Sequence, residues 1–155
     1  MKKLFTLAVM VVFSFSLFAK KVEIERAKLV AKNYYCLQLE QLKGEKINNE
    51  DLKILQVFKI EYENNLVFYI LNIENGFVIV SADDLVEPIL GFSLENGYSG
   101  KDLPPALVDL LAHYKEQISY AIKKQIRSDN EILQKWEFLT DIENMKDYET
   151  CEIWP

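Results

Sequence analysis

The stretch from Ile54 to Ser93, ILQVFKIEY-ENN-LVFYILNI-EN-GFVIVSADDLVEPILGFS, decides the fold. Three runs in it, Ile54–Tyr62, Leu66–Ile73 and Gly76–Ala82, are rich in Val, Ile, Phe and Tyr, the residues that suit a pleated and half-buried surface. The connections Glu63-Asn64-Asn65 and Glu74-Asn75-Gly76 are short and offer asparagine and glycine for positive φ, so they predict hairpins and an antiparallel meander. A fourth run, Glu87 to Phe92, carries Pro88 near its start. Proline cannot donate within a central ladder, which places this strand at an edge.

Helices are expected on both sides of the stretch. Between Glu23 and Lys43 the apolar positions Ile24, Ala27, Val30, Ala31, Tyr34 and Leu37 or Gln38 step by three and four, and Gly44 follows as a stop. Asn96 to Asp102 reads as a loop, and Pro104-Pro105 suits a first helical turn, where a missing N–H costs nothing. Leu107, Leu110, Leu111, Tyr114, Ile118, Ala121 and Ile122 then share a face up to about Ile126. Ser128-Asp129-Asn130-Glu131 matches a capping box, with Ser128 as cap, and predicts a further helix carrying Ile132, Leu133, Trp136 and Leu139. The fold class is therefore α+β in a single domain: an N-terminal helix, an antiparallel sheet of about four strands, and C-terminal helices packed on the sheet.

The chain has 155 residues. Residues 1–19 place Lys2 and Lys3 before an apolar run that ends at Ala19, the pattern of a secretory signal peptide cleaved after Ala19, shorter than a spanning helix needs. A secreted or periplasmic location follows, without stable membrane insertion once the segment is removed. Loss of Lys2 and Lys3 takes the net charge from -6 to -8, which repels phosphate backbones and argues against nucleic acid as a partner. Residues 20–139 form the domain, and 140–155 an acidic tail. Asp141, Glu143, Asp147, Glu149 and Glu152 read as a solvated tail, with a docking patch for a basic partner as the alternative.

Residues able to do chemistry are few. The two cysteines, Cys36 and Cys151, lie near opposite ends of the exported chain. A disulfide between them would close a long loop and contribute about 4 kcal/mol in the chain-entropy model, but spacing alone does not bring their Cα atoms together, and free thiols are the favoured reading. Cysteine catalysis needs a nearby base, and the one histidine, His113, falls on a different helix from Cys36. Asp83-Asp84 suits a turn better than a cation site, because no further oxygen ligands stand at a recognisable spacing. No zinc spacing, phosphate-cradling glycine loop or serine elbow is present, so no cofactor and no metal is expected, and the chain is read as a non-enzyme. Tyr34, Tyr35, Tyr62, Phe68, Tyr69, Phe77 and Phe92 recur at helix and strand spacing and read as core.

The run Gly76-Phe77-Val78-Ile79-Val80-Ser81-Ala82-Asp83-Asp84, followed by Pro88-Ile89-Leu90-Gly91-Phe92-Ser93, resembles the central signature of the streptopain and interpain propeptides and of their stand-alone inhibitors. The resemblance extends from about Val22 to Ile126. It implies a non-covalent inhibitor that docks across the cleft of a streptopain-type cysteine protease. An orphaned propeptide that helps folding, and a periplasmic or surface binding module, are the alternative readings. It also implies that the loop Tyr98, Ser99, Gly100, Lys101, Asp102, Leu103, Pro104, Pro105 and Ala106 lies nearest the cleft. It carries no inserting residue across, since Asn96 stands only at the start of that loop.

Overall fold

The computed structural model describes residues 21–126 and 128–141. Elements follow in the order α1 (Ile24–Lys43), β1 (Ile54–Tyr62), β2 (Asn65–Ile73), β3 (Gly76–Ser81), β4 (Ile89–Ser93), α2 (Pro105–Lys124) and α3 (Asn130–Thr140). The four strands form one antiparallel sheet in chain order, with β1 and β4 at its edges. The α+β expectation holds, and the fourth strand lies at an edge as expected, but it starts at Ile89 and not at Glu87, so Pro88 precedes it.

The helices divide between the two faces of the sheet. On one face α1 and α3 pack Ala27, Val30, Tyr34, Trp136 and Leu139 against Tyr69, Leu71, Ile73, Val78 and Val80. On the other, α2 sets Leu111 and Ile118 against Val67, Phe68, Ile70 and Ile79. The central strand β2 is buried from both sides, which explains its apolar run Leu66–Leu71, and each fully buried apolar side chain there contributes about 1.5–3 kcal/mol. Three bulges adjust the pleat. Leu55, Val67 and Leu90 are the extra residues at the register shifts, so Val67 shares the α2 face with its neighbour Phe68, while Leu55 is left 65% exposed.

Helix ends are set by local chemistry. Gly44 adopts φ 69° and donates to Glu40 O, while Glu45 N–H reaches Leu39 O, a Schellman arrangement that closes α1. At α3 the cap is Asp129 and not Ser128: its Oδ1 accepts from Ile132 N–H at 2.9 Å, because Asp129 holds the extended backbone that a cap requires. Glu131, expected to reach back to the cap, instead pairs with Lys135 at 3.0 Å one turn on.

The hairpin turns also differ from expectation in detail. Glu63 (φ 49°) and Asn64 (φ 65°) turn the first hairpin, and Glu74 (φ 48°) the second, so neither Asn65 nor Gly76 supplies the positive φ. Gly76 is needed for close approach, since a Cβ there would lie 2.1 Å from Ser93 O across the β3–β4 pair. Leu110 was expected on the inner face of α2 but is 41% exposed, being rotated off the stripe formed by Leu107, Leu111, Tyr114 and Ile118.

Candidate functional site

Tyr98 begins the predicted contact loop and is held from three directions. Asn72, near the end of β2, accepts from Tyr98 N–H at 2.8 Å through Oδ1 and donates to Tyr98 O at 2.9 Å through Nδ2. This two-point clamp satisfies both backbone groups of one loop residue. The Tyr98 ring packs edge-on against Phe58 (5.0 Å, 82°) and Phe77 (6.2 Å, 64°), from β1 and β3. Sequence reasoning passed over Asn72. Its signal was a polar residue inside the apolar run Leu66–Ile73, an uncommon choice unless its side chain is fully hydrogen-bonded.

Beyond Tyr98 the loop runs at the surface. Ser99 Oγ accepts from Lys101 N–H at 3.2 Å, and Gly100 (φ 73°) and Asp102 (φ 51°) turn the chain back. Leu103 anchors the far end by packing into the α2-side cluster. Pro104 caps α2 and Pro105 takes its first turn, with Leu107 N–H and Val108 N–H both donating to Pro104 O. Ser99, Gly100, Lys101, Asp102, Pro104, Pro105 and Ala106 are exposed. The nine residues thus form a projection braced at Tyr98 and Leu103, with an outward polar and proline-rich rim.

The remaining candidates do not assemble into a catalytic centre. Cys36 packs on the α1 face of the sheet, whereas His113 is exposed on α2, beyond the opposite face, beside Gln117. Burial, offset in part by Lys32 and reinforced by Asp51, pushes the Cys36 thiol up to about 11, the reverse of an activated nucleophile. Cys151 lies outside the described residues, as does the expected signal peptide over residues 1–19. Among the described residues no group of three His, Cys, Asp or Glu side chains could hold a metal, and no helix is long and apolar enough to cross a membrane.

Asp83 and Asp84, at the end of β3, shape the fold. Asp83 Oδ1 accepts from Leu85 N–H at 3.1 Å in a tight turn, and Asp84 pairs with Arg26 at 3.6 Å. Burial raises the Asp83 carboxyl above its ordinary range, with the Leu85 amide working against that shift and neighbouring Asp84 adding to it. The Arg26 guanidinium lies over the Trp136 ring at 4.8 Å, and Trp136 Nε1–H donates to Val86 O at 2.9 Å. The motif that carries the resemblance is therefore a structural joint between β3, α1 and α3.

A protein-family model described as Spi protease inhibitor matches residues 19–118, which include α1, all four strands, the braced loop and most of α2. The chain belongs to the Spi protease inhibitor family. Comparison with curated proteins and with solved structures gives no match. The Spi match ends within α2, so α3 is built from sequence beyond it, although Trp136 and Leu139 of α3 are buried in the same core as α1. Membership of the Spi family assigns a protease-inhibitor role and a protease as partner.

Proposed function

We propose that this chain is an exported inhibitor of a streptopain-type cysteine protease, acting by non-covalent occlusion of the active-site cleft. The observation that carries the reading is the loop 98–106, fixed at Tyr98 by Asn72 and at Leu103 by the α2-side core while its rim stays open. A loop ordered before binding loses less conformational entropy on docking than a mobile one. Val108 (48% exposed) and Leu110 (41%) flank the first turns of α2 and extend the apolar area beside the loop. A specific interface needs about 800 Å² on each partner, more than a single loop supplies, so these turns contribute to the contact. Residues 1–19 act as the export signal that brings inhibitor and protease to the same compartment.

Titration of residues 20–155 against a streptopain-type protease, followed by hydrolysis of a small peptide substrate, tests this. The expected result is stoichiometric loss of activity, with the inhibitor recovered uncut. Replacing Lys101, Asp102, Pro104 and Pro105 together by alanine should weaken inhibition by at least about tenfold, because interface energy concentrates in few residues. No inhibition by a folded sample at micromolar excess over a cognate protease would overturn the assignment.

A further inference from the structure

On the opposite side of the sheet from the contact loop, the outer flank of α1 and the start of β1 enclose a shallow open groove of about 920 Å³. Its walls are Lys28, Leu29 and Lys32 of α1 and the segment Leu52–Val57. Three features stand out in a chain whose net charge is -6. The groove carries Lys28, Lys32 and Lys53 against a single acid, Glu25, which is already bound to Lys28 at 2.7 Å. Lys32 and Lys53 have no salt bridge among the described residues. Finally, β1 is an edge strand, paired only with β2, and its bulge turns Leu55 outward to 65% exposure.

An unpaired edge presents alternate N–H and C=O groups that an extended segment can satisfy by adding as a strand. Residues at every second position of such a segment would face α1, where Lys28, Lys32 and Leu29 stand. We infer that the groove between α1 and β1 binds an extended, acidic segment of a partner protein, about six residues long and alternating Glu or Asp with apolar residues. Opposite charge is what the two unbridged ammonium groups select, and the exposed Leu55 supplies an apolar contact. The loop 98–106 rests on the α2 face, so the groove stays accessible while that loop is engaged, and the inference stands independently of protease inhibition. Edge lysines can instead guard a strand against any pairing, which predicts that no peptide binds.

The test uses residues 20–155 and a fluorescein-labelled octapeptide alternating Glu and Val, read by anisotropy. Two controls accompany it: the Lys–Val counterpart, and a Glu–Val peptide interrupted by proline, which cannot add as a strand. The expected result is binding of the Glu–Val peptide alone, slowed hydrogen exchange of the outward-facing amides within Ile54–Val57, and at least about tenfold weaker binding in the double variant Lys32→Glu, Lys53→Glu. Raising salt on the wild-type chain should weaken binding likewise, which checks the charge argument without any substitution. Absence of binding, or equal binding of the proline or Lys–Val peptide, would overturn the inference. Self-association without peptide that the double variant abolishes would also overturn it, by giving the groove to a second copy of the chain.

Discussion

The two faces of the sheet are built from the same kinds of residue and do different work. The face covered by α1 and α3 buries Trp136, Leu139, Val30 and Leu71 almost completely and adds a polar lock, in which Asn33 donates to Leu139 O at 2.8 Å and accepts from Asn49. The face covered by α2 has a smaller buried cluster, and around it Tyr98, Leu103, Leu107 and Tyr114 are only partly covered. Two helices close one side, while one helix and a loop leave the other partly open. The difference separates stability from presentation: apolar burial on the first face orders the sheet, and the ordered sheet then holds Asn72, Phe58 and Phe77 in place to brace the loop on the second.

Four substitutions break or sharpen that contrast. Trp136→Ala empties the centre of the closed face and removes both the indole bond to Val86 O and the ring under Arg26, and should cost about 3–5 kcal/mol in urea unfolding. A cost under about 1 kcal/mol would show that α3 is dispensable to the core. Gly76→Ala puts a methyl group into Ser93 O and must part the ends of β3 and β4, at about 1–3 kcal/mol. Exchange of the β4 amides should rise in that variant before exchange of the β1 amides does.

Asn72→Ala is the substitution that separates the two faces. It strands the Tyr98 backbone groups at a cost of about 1–2 kcal/mol, yet should weaken protease inhibition more than Trp136→Ala does when each variant is assayed folded. Equal loss of stability and unchanged inhibition would detach the loop from function. The smallest effect is expected at Asp83. Its carboxyl is raised in the folded state, so the fold binds the proton more tightly than the unfolded chain does, and stability falls as pH rises from the ordinary carboxylate range through the raised value. Asp83→Asn keeps an acceptor for Leu85 N–H and should flatten that acid-side slope in thermal melts collected across pH, with little change at the acid end.

Much of this was legible residue by residue. The alternating and branched runs of Ile54–Ala82 specify strands, Gly44 stops α1, and Pro88 stands just before β4, because each of these choices acts over one to four neighbouring residues. A loop over Asn96–Asp102 was legible from its polar, glycine-bearing composition, while the span 98–106 as a candidate contact came from the family resemblance. The bracing of the loop was not legible, since Asn72 and Tyr98 are 26 residues apart and meet only when the meander is folded.

The sequence alone determined which segments are helix and strand and their antiparallel order, through local propensity and periodicity, while the resemblance to a known family rested on the particular residues of Gly76–Asp84 and Pro88–Ser93. Tertiary structure alone decided that α2 and α3 take opposite faces of the sheet, that Asp129 and not Ser128 caps α3, and that Gly76 serves close packing and not a turn. It also decided that Lys28, Lys32 and Lys53 share a groove beside an open edge. These outcomes depend on which surfaces meet after the chain has closed on itself, and periodicity, which marks an apolar face, does not say what that face will cover.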